Sequence, residues 1–491
     1  MTQSLSKLVG EGLAYFNVIN GKRIVAVEKE VIEVVCPSDG KVFCTIPRSR
    51  QEDVNRAVDA ARLAFNSGPW AELTAVERGR ILHKWSQLIL ENLDELAALE
   101  SRDTGKPVRQ GIADIRAAAR YYEFYAGAVD KIHGDTIPVL AGHTALTLRE
   151  PHGVVGAIIP WNYPSQIMGR IAGAALAMGN TLVIKPAEDA CLSVIRIAEL
   201  ALDAGLPAGV LNVVTGYGEE AGAPLTKNVH IDFLTFTGSP DVGMLIQHAA
   251  ARNHIGCTLE LGGKSPQILF EDADLDAAIP VVVNAIIQNS GQTCSAGSRV
   301  LVSRKIVDQV SEELGKRFSS LVAAPHHEDG DLGPVVSTFQ RVQIERMVAV
   351  AAEHDVPLIA KGTISSSAPK TGYYIAPMLF GPVRTNERIA QEEIFGPVLA
   401  LIVFDDEEEA INIANGTPFG LVAGVWTRDG SRAMRVARKI RAGQIFINGY
   451  GAGGGVELPF GGFKKSGHGR EKGFEALYEF SATKTIVINH G

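Results

Sequence analysis

Val154-Val-Gly-Ala-Ile-Ile159 is an apolar, β-branched run without a polar interruption, and it stops at Pro160-Trp-Asn-Tyr-Pro164. A strand that is apolar on both faces belongs inside a sheet covered by helices. A helical stretch then reaches about Met178, Leu182–Ile184 reads as strand, and Leu192–Leu202 reads as helix again. Val210–Val214 and Phe233–Phe236 continue the series, each followed by a glycine-containing turn and a helical stretch. Apolar strands separated by helices of crossover length specify a parallel, doubly wound α/β sheet. Ligands bind such sheets at the carboxyl ends of the strands.

The rhythm differs on both sides of this core. Upstream, residues 50–130 read mainly as helix, with apolar residues at helical spacing in Asp53–Phe65 and Val76–Leu99. After Gly262-Gly263 a second α/β section begins. Its expected strands are Gln267–Phe270, Arg299–Val302, Leu399–Val403, Ala423–Trp426 and Gln444–Ile447, and its main helices are Leu275–Gln288, Ile306–Leu321 and Arg341–Ala351. A glycine-rich loop, Gly449–Gly469, leads to a lone terminal strand at Thr485–Ile488, for which Thr144–Leu148 is a candidate partner.

The chain has 491 residues, enough for two or three domains, and 46% are hydrophobic and 21% charged, an ordinary globular balance. A formal charge of −8 gives no footprint for nucleic acid. Five cysteines without close pairing argue against a disulfide framework or a zinc knuckle, and the twelve histidines show no metal-ligand spacing. The N-terminus lacks a signal pattern, and no apolar run approaches the ~18 residues of a membrane span. A cytoplasmic protein without metal, membrane or nucleic-acid partner is expected.

Certain residues stand out against this background. Cys294 lies in Gln292-Thr-Cys-Ser-Ala-Gly297, a small-residue junction between an apolar helix and a strand. A thiolate there is a nucleophile if the local field favours it, and otherwise a small buried side chain. Thr235-Phe-Thr-Gly-Ser-Pro-Asp-Val-Gly243 is a strand-to-helix turn whose free N–H groups suit a phosphate. Its Gly-x-x-x-x-Gly spacing is not the usual dinucleotide fingerprint, and two-glycine turns are common. Lys185 and Glu188 sit where a strand ends at Pro186, placed either for ribose hydroxyls or simply for water. Asn162 is a candidate amide donor to developing negative charge, or an Asx turn. Glu260, in the apolar run Cys257-Thr-Leu-Glu-Leu261, is a candidate base with a raised pKa, or a carboxylate at a wet strand edge.

Taken together, these segments resemble the NAD(P)-dependent aldehyde dehydrogenase family over nearly the whole chain. The resemblance rests on Pro160–Pro164, Lys185-Pro-Ala-Glu188, Phe236-Thr-Gly-Ser239, Leu259-Glu-Leu-Gly-Gly-Lys264, Gly291-Gln-Thr-Cys294, Glu392-Glu-Ile-Phe-Gly-Pro397 and Pro459-Phe-Gly-Gly462. It implies a Rossmann-like cofactor domain (1–130 and 152–260), an α/β catalytic domain (261–450) and a small β arm for oligomerisation (131–151 and 472–491). It implies that Cys294 attacks the aldehyde, that Asn162 and the Cys294 backbone N–H hold the oxyanion, and that hydride passes to the nicotinamide. Glu260 then activates water against the thioester, with Glu471 at the tail position of a proton relay. Lys185 and Glu188 hold the adenosine ribose, Gly238, Ser239 and Gly243 lie by the pyrophosphate, Glu393 binds the nicotinamide ribose, and Trp161 and Phe395 flank the cofactor. Tyr163, Arg170 and Phe460 line the substrate tunnel. The cofactor is NAD, with NADP as an alternative, and the assembly a homodimer or homotetramer.

Two departures qualify the pattern. Ile171 stands where many members carry a lysine credited to proton relay, and Arg170 stands where many carry tryptophan. Succinic semialdehyde dehydrogenases and some aromatic aldehyde dehydrogenases have arginine there, so a semialdehyde or other polar-ended aldehyde is the expected substrate. A CoA-acylating enzyme generally lacks the base glutamate, which Glu260 supplies here. A cysteine hydrolase needs a histidine partner for Cys294, and none is recognisable.

Overall fold

The computed structural model describes residues 13–451 and 455–491, so the first twelve residues of the expected cofactor domain and residues 452–454 of the glycine-rich loop lie outside the described residues. Three of the five sheets among the described residues organise the chain. The first runs in the order Gly467–His468, Gly256–Glu260, Phe233–Thr237, Val154–Ile159, Thr181–Pro186, Leu211–Val213, Asn17–Ile19 and Lys22–Ile24. Its five central strands are mutually parallel, and the two edges are antiparallel additions. The Val154–Ile159 strand is the middle one of these five, with Thr181–Pro186 on one side and Phe233–Thr237 on the other, so the chain winds outward one way and then crosses back. That reversal opens a crevice at the strand ends between Ile159 and Thr237, where doubly wound sheets take their ligands.

Alternation explains why these runs are apolar throughout. Val155, Ala157 and Ile159 join Leu182, Ile184, Leu211 and Val213 in one core, and Val154, Val183, Leu234 and Phe236 join another on the opposite face. The helix Gln51–Ser67 covers the second face with Val54, Ala57, Val58 and Ala61, while Pro164–Ala177 covers the first. A slip of one residue would exchange the two cores, so register is tightly specified.

The second sheet runs Leu358–Lys361, Met378–Phe380, Val398–Phe404, Arg299–Ser303, Pro266–Leu269, Val422–Trp426, Gln444–Ile447. A third, three-stranded sheet pairs Ser481–Asn489 antiparallel with His143–Pro151 along their whole lengths. The terminal strand thus finds its partner within its own chain. One expectation changes: Val76–Leu99 is not one helix but two, Ala75–Glu91 and Leu93–Thr104. Asn92 interrupts it because its side-chain Nδ2 donates to the Leu88 carbonyl at 2.8 Å, competing with the helical ladder. Among the described residues no helix is long and apolar enough to cross a membrane.

Candidate active site

The crevice continues into a cavity of about 680 Å³ between the two large sheets. Its wall includes Asn162 from the loop after Val154–Ile159, Glu260 from the end of Gly256–Glu260, and Cys294 from the loop before Arg299–Ser303. Three residues far apart in the chain therefore face one space.

The loop carrying Cys294 is built unusually. Asn289 and Ser290 have φ of 48° and 57°, and Gly291 follows at 76°. Left-handed backbone at two non-glycine residues costs about 1 kcal/mol or more apiece and persists only where the surroundings enforce it. Here Ser290 Oγ donates to the Gly333 carbonyl (2.7 Å), and Gln292 Nε2 donates to the Asn289 carbonyl (2.9 Å). Gln292 Oε1 accepts from the Val336 N–H (2.9 Å). Cys294 itself is half-buried. Burial pushes its thiol up to about 12, with the Arg170 guanidinium working in the opposite direction. The thiol is then mostly protonated at neutral pH, and its thiolate fraction grows tenfold per pH unit below the pKa. Alkylation of Cys294 by iodoacetamide, followed by peptide mass spectrometry, is expected to accelerate about tenfold per unit between pH 7 and 9. A rate already flat at pH 7 would show a thiolate stabilised beyond what these neighbours provide.

Asn162 donates from Nδ2 to the Gln292 carbonyl at 3.0 Å, which ties the two loops together. An amide nitrogen carries two N–H groups, so the second remains for an oxygen in the cavity. Tyr163 reaches the same loop, its hydroxyl 2.8 Å from Thr293 Oγ1. Glu260 is buried, and neither of its carboxylate oxygens has a hydrogen-bond partner among the described residues. Burial and the neighbouring Glu471 raise its pKa well above the usual range, against the pull of Arg170, Arg470 and Lys472. A base poised this way is suited to proton transfer near neutrality.

Glu471 is equally buried and forms an ion pair with Arg170, its Oε2 2.5 Å from Nε. The Arg170 guanidinium also lies 5.4 Å from the Phe460 ring centre, and both residues line the cavity. Arg170 is therefore not a lone cation, because the Glu471 carboxylate pairs with it.

On the cofactor side, Trp161, Gly238, Ser239, Glu393 and Phe395 line the cavity. The rings of Trp161 and Phe395 meet edge to face at 5.5 Å. Glu393 is fixed by the Gly263 N–H (2.9 Å), and a Cβ on Gly262 would fall 2.0 Å from its Oε2, so that approach requires glycine. The Thr237 hydroxyl is buried without a partner at the cavity wall, an orphan donor where a polar ligand fits. Lys185 and Glu188 pair at 2.8 Å at the end of the adjacent strand, outside the cavity lining.

The turn at residues 238–243 is less open than its sequence implies. The Gly238 N–H already donates to the Glu260 carbonyl (3.0 Å), Pro240 has no N–H, and Ser239 Oγ accepts from Val242 (3.4 Å). Gly243 packs toward the sheet, where a Cβ would lie 2.7 Å from the Leu261 side chain, so its glycine allows close helix–strand packing.

Sequence reasoning passed over Lys106, Gln292 and Tyr450, whose hydroxyl donates to the Ser295 carbonyl at 2.7 Å. Gln292 was visible only as a neighbour of Cys294, and nothing in the spacing announced the other two. Among the described residues no group of three or more His, Cys, Asp or Glu is arranged to hold a metal ion.

A thiol, an amide and a buried acid line one cavity at the crevice of a dinucleotide-type sheet, the layout of an oxidoreductase that takes a nicotinamide cofactor. The sequence model of the aldehyde dehydrogenase family matches residues 24–486, and the chain belongs to that family. It is similar to the mitochondrial aldehyde dehydrogenase family 2 member B4 of Arabidopsis thaliana, with 41% identity over 96% of this chain and 87% of the relative. A Bacillus cereus aldehyde dehydrogenase solved with NAD+ is 40% identical with a TM-score of 0.95, covering 100% of this chain and 98% of that one. A Burkholderia cenocepacia structure assigned as an aldehyde dehydrogenase is 57% identical with a TM-score of 0.96, covering 97% and 100%.

Proposed function

We propose that the chain oxidises an aldehyde to the carboxylic acid with NAD, through an acyl group carried on Cys294. The convergence of Cys294, Asn162 and Glu260 on one cavity carries this reading. Cys294 Sγ, reacting from its thiolate fraction, bonds to the carbonyl carbon as the C=O π bond breaks, and the carbonyl oxygen takes the negative charge. The second Asn162 N–H and the Cys294 backbone N–H supply the donors for that oxygen. Glu393, Phe395 and Trp161 would hold the nicotinamide end of NAD, with Lys185 and Glu188 at its adenosine ribose, and NAD would supply the acceptor for the hydride that leaves the adduct carbon as the oxyanion reforms C=O and the thioester. Glu260 then takes a proton from water as the water oxygen bonds to the acyl carbon, and when the C–S bond breaks the departing sulfur takes that proton back from Glu260, restoring the thiol. A carboxylate at Glu188 repels a 2′-phosphate, which favours NAD over NADP. Assay of NAD and NADP reduction across an aldehyde panel tests the reading: NAD reduction with acid formed in equal amount is expected, and no reduction with any aldehyde contradicts it.

The preferred substrate is a semialdehyde or other polar-ended aldehyde. Arg170 lines the cavity with its guanidinium beside Glu471 and Phe460, and Gln166, Asn284 and Gln288 add amides to the wall. Arg170→Leu is expected to lower kcat/KM for a semialdehyde about tenfold more than for propanal, the value of a charge-assisted hydrogen bond. An unchanged ratio would remove Arg170 from substrate recognition.

The three sheets support a division into a cofactor domain (residues 1–130 and 152–260), a catalytic domain (261–450) and a bridging arm (131–151 and 472–491). The arm leaves Ile486, Val487 and Ile488 exposed on an edge strand, which supports a homodimer or homotetramer. Five cysteines, all free, suit the reducing cytoplasm.

A further inference from the structure

Lys106 is one of the most deeply buried cations in the described chain, with its side chain wholly removed from solvent. The local sequence, Thr104-Gly-Lys-Pro107, explains how it is held. Gly105 ends the helix Leu93–Thr104 in a left-handed conformation (φ 83°), and Pro107 precedes the helix Val108–Ala128. The lysine is thus fixed at the hinge of two helices, and its stem has no freedom to leave. Its ammonium meets Glu100 Oε1 at 3.4 Å and Asp114 Oδ2 at 2.5 Å. Those carboxylates are anchored in turn, Glu100 by Ser193 Oγ (2.6 Å) and Asp114 by Gln166 Nε2 (2.6 Å).

A buried ammonium with two carboxylates is electrically satisfied, yet the third donor is not spent on either. It goes to the main-chain carbonyl of Asn162, at 2.9 Å. Asn289 Nδ2 fills the other lone pair of that carbonyl, also at 2.9 Å. With both lone pairs taken by rigid donors, the Asn162 peptide plane has one orientation. The same ammonium lies 4.5 Å from the centre of the Tyr163 ring, whose hydroxyl bonds Thr293, the neighbour of Cys294. One cation therefore grips the amide residue and, through Tyr163, the cysteine loop. Nothing in the chemistry at Cys294 calls on Lys106 directly.

We propose that Lys106 is a positioning residue for the oxyanion pocket: it fixes the Asn162–Tyr163 segment so that the Asn162 amide and the Cys294 loop stay in register. This rests on the proposed role of Asn162 as donor to the adduct oxygen. A displacement of about an ångström at such a donor is enough to cost large factors in rate, without altering cofactor contacts.

Lys106→Met alone would strand two buried carboxylates, so the informative variant is Lys106→Met/Glu100→Gln/Asp114→Asn, which removes the charges together at nearly constant volume. Its single-turnover rate of NADH formation with saturating aldehyde is expected to fall about tenfold to a hundredfold, with KM for NAD within about twofold of the unmodified enzyme. Its crystal structure is expected to show the Asn162 amide displaced from the Gln292 carbonyl. An unchanged single-turnover rate, an equal rise in KM for NAD, or an Asn162 that has not moved would each overturn the proposal. If the unmodified chain reduced no NAD with any aldehyde, the proposed function would fail by itself, and the position of Asn162 in the variant would still decide the clamp.

Discussion

Cys294→Ala is expected to lower kcat for aldehyde oxidation by at least about 10⁴-fold, the scale on which enzymes lose their nucleophile. No second thiol is at hand: the other four cysteines, at 36, 44, 191 and 257, do not line the cavity. The cavity would remain, because removing one half-buried sulfur from a loop pinned by Ser290, Gln292 and Asn162 leaves those bonds intact. NAD affinity, measured by fluorescence titration, should therefore change by less than about twofold. A variant that kept a tenth of the activity would end the covalent mechanism.

Glu260→Gln separates the two halves of the reaction. Formation of the thioester does not require Glu260 as the water base, so the variant should still release a first equivalent of NADH per active site. Steady-state turnover should fall about 10²- to 10⁴-fold, the usual contribution of a positioned general base. The substitution also removes a buried, unpartnered carboxyl whose charged form is held against burial and Glu471. Relieving that conflict is expected to leave thermal stability equal or slightly higher, in keeping with a site that trades stability for function. Loss of the first burst together with turnover would instead place Glu260 in the thiol-addition step.

Much of this was legible in the chain, and the reason is local. Val154–Ile159 and Thr181–Pro186 are apolar on both faces, and that pattern alone specifies a covered parallel strand. Cys294, Glu260 and Asn162 each sit at a strand end or beside one, where an apolar rhythm breaks. What stayed hidden depends on contacts across space. The pairing of Arg170 with Glu471 joins a helix to the tail and leaves no trace in spacing. The left-handed turn at Asn289–Ser290 is written in residues that do not demand it, so only the surrounding bonds reveal it. Gly467–His468 is too short to read as a strand, yet it brings the tail onto Glu260. Lys106 carries no signal in the chain, because burial is a property of the fold, not of its neighbours in sequence.

Intact-protein mass spectrometry of Glu260→Gln, quenched after one turnover with NAD and an aldehyde, tests the central claim most directly. The chain should gain the mass of the acyl group, and peptide mapping should place it on Cys294. An unmodified chain after NADH has formed, or an acyl group on any other residue, would contradict the account.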